Sequence, residues 1–296
     1  MQETSIVTKK HKSKINCIIY GNRAVERNSQ YICLSDKNKV NVDAWISPVN
    51  EVQNIGDYLS LVIVEEMCKS RNVDFSKKTC STKHLYAVGS ILMGYQDATI
   101  WGSGFGYDFT EQWFFKLNSL THKLRHNIDI RAVRGPETKR ILKKMGYSCP
   151  DIFGDPAVLL PLFYNCELKH LKPYIVVPHY SKLEKYKNNS NILGTFRKKW
   201  NEFVELMCEA DLVISSSLHG IILAEAYGIP AIMLNDTPSE DITKYKDWYY
   251  STRRYEFPIA SNIEEALTMT PSLPDREVIK KMQNDLIDSF PIDLWQ

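Results

Sequence analysis

The stretch Ile214-Ser-Ser-Ser-Leu-His219-Gly-Ile-Ile-Leu-Ala-Glu-Ala-Tyr-Gly-Ile-Pro230 holds residue types that could do chemistry together. Three serines and a histidine stand between an apolar strand, Asp211 to Ile214, and a short helical run that stops at Gly228. The first turn of a helix carries unpaired backbone N–H groups and the positive end of the helix dipole, so it attracts anions. Ser215, Ser216 and Ser217 add hydroxyl donors and can cap the helix. His219 and Gly220 fall in the same turn, and a histidine there can hand a proton or a charged hydrogen bond to a bound anion. The ligand this predicts is a phosphorylated or carboxylated small molecule.

Open α/β sheets bind ligands beyond the carboxyl ends of their strands. Polar or glycine-rich turns fall at such ends at Gly89-Ser90, Gly102-Ser103-Gly104, Arg134 and Ser215 to His219. Arg134 could grip a carboxylate or phosphate with two parallel hydrogen bonds. Its structural alternative is a surface arginine paired with Glu137 or Asp129. Arg131, alternating along the same strand, reads as structural. His179, after a predicted strand, is a second candidate for proton transfer. Asp57 either caps its helix or touches an acceptor hydroxyl. Asp155, in Gly-Asp-Pro, reads as a turn former. No G-x-S-x-G elbow, G-x-G-x-x-G fingerprint, P-loop or H-E-x-x-H pair is present, which argues against hydrolase, dinucleotide, P-loop and zinc-protease chemistry. Neither a metal nor a cofactor is called for.

The elements that must position these residues alternate. Strands are predicted at Val40–Ile46, His84–Val88, Ala98–Trp101, Ile128–Val133, Tyr174–Val177, Asp211–Ile214 and Pro230–Leu234. Helices are predicted from Leu59 to Ser70, from Pro136 to Gly146, from Arg197 to Ala210, from a Ser261–Glu264 capping box to Leu267, and from Val278 to Asp288. Strand–loop–helix units in both halves predict α/β architecture with two Rossmann-like, doubly wound domains. The boundaries expected are a basic tail over 1–14, a first domain over 15–168, and a second over 169–296 that includes the closing helices. Net charge is +2, with 37 basic and 35 acidic residues, far from the bias of a nucleic-acid binder. Seven cysteines without a CxxC pair, and no apolar stretch of membrane-spanning length, predict a soluble protein of a reducing cytoplasm.

Four blocks, in this order, resemble the polysaccharide pyruvyl transferase family. They are Asn54-Ile-Gly-Asp57, the turns at Gly89 and Trp101-Gly-Ser-Gly104, Val133-Arg-Gly135 running through to Gly154-Asp-Pro156, and Ser215-Ser-Ser-Leu-His-Gly220 with Ala224-Glu-Ala-Tyr-Gly-Ile-Pro230. The resemblance implies a GT-B-like arrangement of the two domains. It also implies transfer of a pyruvyl group from phosphoenolpyruvate to two hydroxyls of a saccharide, presented on a lipid carrier or free. The catalytic set would then be His219 with Asp57 or His179, and the substrate-binding set Arg134, Ser215, Ser216, Ser217, Gly220, Asn54, Gly89, Ser103 and Gly104. Many members of the family carry arginine two places before the motif histidine, where this chain has Ser217. Lys182, Lys185, Arg253 and Arg254 are the candidate replacements. The competing expectations are a GT-B glycosyltransferase using a nucleotide sugar, for which Glu225 is the nearest ribose-binding acid, and a non-catalytic phospho-ligand- or carbohydrate-binding relative.

Overall fold

The computed structural model describes residues 37–44, 53–92, 97–237 and 239–296. The basic tail, the apolar run Ile15–Tyr20 and the end of the first expected strand at Trp45-Ile46 lie outside the described residues.

In the first half, β1 (Val40–Asp43), β2 (Gln53–Asn54), α1 (Ile55–Lys69), β3 (Lys83–Tyr86), β4 (Ala98–Trp101), α2 (Phe115–Arg125), β5 (Ile128–Ala132), α3 (Pro136–Lys144) and the short α4 (Leu160–Phe163) follow one another. The second half runs β6 (Ile175–Val177), β7 (Phe196–Arg197), α5 (Trp200–Met207), β8 (Val213–Ser215), α6 (Leu218–Ala226), β9 (Ala231–Leu234), α7 (Thr243–Ser251), β10 (Ile259–Ala260), α8 (Ile263–Ala266) and α9 (Arg276–Asp288). Among the described residues, two four-stranded parallel sheets result, in the orders β1-β3-β4-β5 and β10-β9-β8-β6. The expected α/β class with parallel sheets is therefore present.

Alternation along the strands decides what each sheet face packs against. Val40, Val42, Leu85 and Trp101 of the first sheet, with Ile175, Val177, Val213 and Met233 of the second, enter one continuous core with α1, α5, α6 and α9. The intervening residues of each sheet face a separate cluster: Tyr86 and Ile100, with Val133 just past β5, meet α2 and α3, while Val176, Ile214 and Ile232 meet α8. A further stitch joins the halves. β2 pairs antiparallel with β7, and the Ile55 amide donates to the Thr195 carbonyl at 2.9 Å. The chain end returns to the first sheet, where Trp101 Nε1 donates to the Leu286 carbonyl at 2.9 Å and Arg71 Nη2 to the Ile287 carbonyl at 2.6 Å.

Several boundaries move. α1 begins at Ile55, four residues ahead of the first apolar residue of its predicted stripe. The predicted helix from Arg197 shortens to Trp200–Met207, because Phe196 and Arg197 are taken up by the stitch. The capping box shifts by one: Asn262 is the N-cap, accepting from the Glu265 amide, and the Glu265 carboxylate reaches back to the Ser261 amide and hydroxyl.

Candidate active site

α1 and α6 begin close together, one from each half. The helix bonding of α6 starts with the Ile221 amide, which donates to the Ser217 carbonyl at 3.3 Å, so the amides of Leu218, His219 and Gly220 precede the first intrahelical bond. His219 packs its ring on Gly56 at the start of α1. A Cβ on Gly56 would sit 2.0 Å from His219 Nδ1, so only glycine admits this approach. His219 Nε2 lies 3.6 Å from Asp155 Oδ2, and both atoms are buried without a hydrogen-bond partner. Buried polar atoms are nearly always paired, so two orphans facing each other mark a place where a proton or a ligand is expected.

Asp155 is more than a turn former. Its Oδ1 accepts from the Ala157 amide at 3.0 Å, which caps the turn Pro156–Leu159 and aims Oδ2 at the histidine. Asp57 completes the group on the α1 side and accepts from Asn54 Nδ2 at 2.6 Å. Burial holds the Asp57 carboxyl above its usual range, against the pull of His219, Asn54 and Lys244, while Asp155 pushes the same way as burial. A carboxylate so raised is a better proton acceptor near neutral pH than an ordinary one.

The serine loop divides its work. Ser215 Oγ lies 2.8 Å from the carbonyl oxygens of both Val177 and Ser217, with its single proton to give to one of them, and accepts the Ser217 amide at 3.0 Å. Ser216 Oγ accepts the His179 amide at 2.9 Å. These two hydroxyls shape the loop, whereas no side-chain cap is made by Ser217, which stands at the α6 start. Gly220 lies against Ser215 Oγ, where a Cβ would come within 2.4 Å. On the first sheet, Ser103 Oγ donates to the Gly89 carbonyl at 2.8 Å, tying the two glycine turns together beside Asp57.

Arg134 sits beneath these turns, fully buried. Its Nη1 donates to Ser90 Oγ at 2.7 Å, its Nη2 to the Phe105 carbonyl at 2.5 Å, and its Nε to Asp247 Oδ2 at 3.1 Å. Gly104 makes room for it, since a Cβ there would lie 2.5 Å from the guanidinium. Neither of the surface partners expected, Glu137 and Asp129, holds it: Glu137 pairs with Arg140 and Asp129 with Arg131. Arg131 also pairs with Asp293, in keeping with its structural reading.

α7 brings a further cation, Lys244, whose Nζ lies 3.8 Å from Glu240. Lys244 is largely buried and acts electrostatically on Asp57 and His179. Burial lowers its pKa, opposed by Glu240 and helped by Arg134 and Lys182. α7 is tied to the serine loop by Tyr245, whose hydroxyl donates to the Ser216 carbonyl at 2.7 Å. The replacements expected from sequence are committed elsewhere. Lys182 and Lys185 pair with Asp236, Arg254 pairs with buried Glu225, and Arg253 is exposed on a left-handed turn after α7. His179 lies on the Lys244 side, with Nδ1 2.8 Å from Ser181 Oγ. Burial, with Lys244 and Lys182 against Glu240, lowers its pKa to about 4, so the ring is neutral at pH 7. Among the described residues, no group of three or more His, Cys, Asp or Glu is placed to hold a metal.

The sequence pattern of the polysaccharide pyruvyl transferase family matches residues 54–238, well over half of the chain. The chain belongs to the polysaccharide pyruvyl transferase family. The matched span opens on Asn54 and covers every site residue above except Glu240, Lys244, Tyr245 and Asp247, which lie just past its end. The succinoglycan biosynthesis protein ExoV of Rhizobium meliloti (strain 1021) is 27% identical over 164 residues, a match that takes in 50% of this chain and 45% of ExoV. The chain thus spans less than half the length of that relative. A crystal structure of an uncharacterized protein from Klebsiella pneumoniae subsp. pneumoniae NTUH-K2044 aligns with a TM-score of 0.44 at 15% identity, over 74% of this chain and 88% of that one. Among the described residues, no helix is long and apolar enough to cross a membrane.

Proposed function

We propose that this chain transfers a pyruvyl group from phosphoenolpyruvate to two hydroxyls of a sugar, in a polysaccharide or its precursor, and forms a cyclic ketal. The observation that carries the reading is the meeting of Asp57, His219 and Asp155 where α1 and α6 begin, with Lys244 of α7 close enough to act on the Asp57 charge. Family membership supplies the reaction class. In this reading the two parallel sheets are the two Rossmann-like halves of a GT-B-like enzyme, and the site lies at their junction.

The donor brings a carboxylate and a phosphate. The leading amides of α6 and the Lys244 ammonium receive them. His219 delivers a proton to the methylene carbon, with the Asp155 carboxylate 3.6 Å away to favour the charged ring. Asp57 takes the proton of an incoming hydroxyl. In sum, the methylene carbon gains a proton, and the adjacent carbon bonds to both acceptor oxygens. Its bond to the phosphate oxygen breaks, with the electron pair leaving on phosphate. Of the two hydroxyl protons released, one replaces that used at carbon and the other leaves with phosphate. His179, neutral at pH 7, acts as a hydrogen-bonding partner, and Arg134 positions Ser90 and α7 from below.

The nucleotide-sugar alternative is weakened at Glu225. Its carboxylate accepts two bonds from Arg254 at 2.7 and 2.6 Å and one from Trp248 Nε1 at 2.7 Å, all in the interior. The Glu225 side chain has no solvent exposure, so it is not open to a ribose.

Calorimetric titration with phosphoenolpyruvate and with a panel of nucleotide sugars tests the reading, together with phosphate release in the presence of candidate acceptors. Phosphoenolpyruvate alone should bind. Lys244→Met should weaken that binding by roughly 10–100-fold, the loss of one charge-assisted contact. His219→Ala should still bind donor but lose about 10²–10⁴-fold in turnover. Binding of a nucleotide sugar in place of phosphoenolpyruvate, or near-normal turnover in His219→Ala, sinks the proposal.

A further inference from the structure

α2 carries its leucines on the wrong side for a core helix. Its buried residues are Phe115 and Ser119, which face the first sheet. On the opposite face, Leu117, Leu120 and Leu124 follow the i, i+3, i+7 spacing of one helical stripe and are 65%, 56% and 76% exposed. Trp113, in the turn just before the helix, is 91% exposed. Single exposed leucines are ordinary, but a stripe of three next to a bare tryptophan is a contiguous apolar surface.

The charges around the stripe are of one sign. From Trp113 to His126 there is no aspartate or glutamate, while Lys116, Lys123 and Arg125 are all exposed. At 100° per residue, Lys116 and Lys123 border the stripe on one side and Arg125 on the other. Lys123 is held in place by the Gly146 carbonyl and by the Tyr147 ring. The nearest acids in sequence are already engaged: Glu111 pairs with Lys144, and Asp129 with Arg131. A helix that shows leucine and tryptophan outward between flanking cations has the pattern of one lying in the plane of an anionic membrane surface.

We infer that α2 and Trp113 dock this protein reversibly on an anionic phospholipid bilayer, with the leucine stripe in the headgroup–acyl boundary and Lys116, Lys123 and Arg125 among the lipid phosphates. Charge complementarity selects this occupant over a second copy of the chain. A symmetric dimer through the stripe would set each cation row near its own copy, and like charges across an interface are unfavourable. Anionic headgroups neutralise the same row. The helix is eleven residues, about 16 Å, enough to lie along the surface and too short to span it. The membrane contact itself does not depend on the pyruvyl-transfer reading.

Co-sedimentation of the full chain with vesicles tests it. Vesicles of phosphatidylcholine with phosphatidylglycerol should bind the protein, vesicles of phosphatidylcholine alone should not, and added salt should weaken binding. The variant Leu117→Ser/Leu120→Ser/Leu124→Ser should lose roughly tenfold or more in partitioning. A second variant, Lys116→Glu/Arg125→Glu, should fall comparably while keeping all three leucines. Since both variants keep the basic segment Lys9–Lys14, a loss belongs to α2. All substituted positions face solvent, and circular dichroism checks that the fold persists. Equal binding to the two vesicle types, no binding to either, or unchanged binding in both variants overturns the inference. So does a concentration-dependent dimer in sedimentation that the triple-serine variant abolishes, since a second copy would then cover the stripe.

Discussion

His179 shows how neighbours decide what a residue can do. In sequence it is a polar residue after a strand end and a second candidate behind His219. In the structure its amide is bonded to Ser216, its ring to Ser181, and two lysines stand near it. The ring is held neutral, with a pKa near 4 in the fold against 6.5 when unfolded. A group whose pKa falls on folding resists protonation in the native state, so its contribution is fully present above pH 6.5 and is lost as pH drops toward 4. Wild-type protein should therefore lose stability relative to His179→Asn over that window, by roughly 1–3 kcal/mol once part exposure is discounted. Urea midpoints for the two proteins at neutral and acidic pH measure this, and parallel pH profiles would contradict it. Of the residues singled out in the sequence, Asp57, Asn54, Gly89 and His219 come together as a group. The approach of Asp155 to His219 is hidden in sequence, because Gly-Asp-Pro looks like a turn and is one, and only the fold shows where its second oxygen points.

Elements were legible where their apolar pattern faces a core. β4, β8 and β9 are found almost where alternation and apolar runs place them, and α3 stops before Gly146, which has a φ of 87°. α2 and α7 are the helices that periodicity does not announce. In α2 the regular stripe looks outward. In α7 the buried set is Tyr245, Asp247, Trp248 and Tyr249, which includes a carboxylate and no aliphatic stripe. Yet α7 supplies Lys244, and its placement depends on Asp247. That carboxylate accepts the Thr138 amide at 2.9 Å, the Thr138 hydroxyl at 2.6 Å and Arg134 Nε at 3.1 Å, wholly out of solvent. Asp247→Asn would leave the Arg134 charge buried without its counterion, a change that costs about 3–5 kcal/mol. It should also weaken phosphoenolpyruvate binding, since Lys244 stands one turn away on the same helix. Chemical denaturation and donor titration of Asp247→Asn read both effects. A loss of stability well under 1 kcal/mol would mean that Asp247 is not what balances Arg134.

At the scale of the molecule, two sheets predicted as separate domains share their inner core. The α1 and α6 starts that form the site belong to helices packed in that core, so site and core are one construction. Ile55, Leu59 and Ile63 of α1 and Ile221, Ile222 and Leu223 of α6 are all but inaccessible to solvent. The C-terminal return adds bonds of long sequence separation, including Lys83 Nζ to the Leu294 carbonyl at 2.8 Å and Trp295 Nε1 to the Phe75 carbonyl at 3.0 Å. Domains joined by a small polar interface unfold separately, whereas halves with a common apolar core lose both when either opens. Heating should therefore give one transition, with the calorimetric enthalpy matching the van't Hoff value and with tryptophan fluorescence and far-ultraviolet dichroism changing together. Trp101 and Trp295 report on the first sheet and Trp248 on the second, so the fluorescence samples both. Two resolved transitions would mean that the shared core contributes little across the junction, and the site between α1 and α6 would then have to form anew each time the halves close on a ligand.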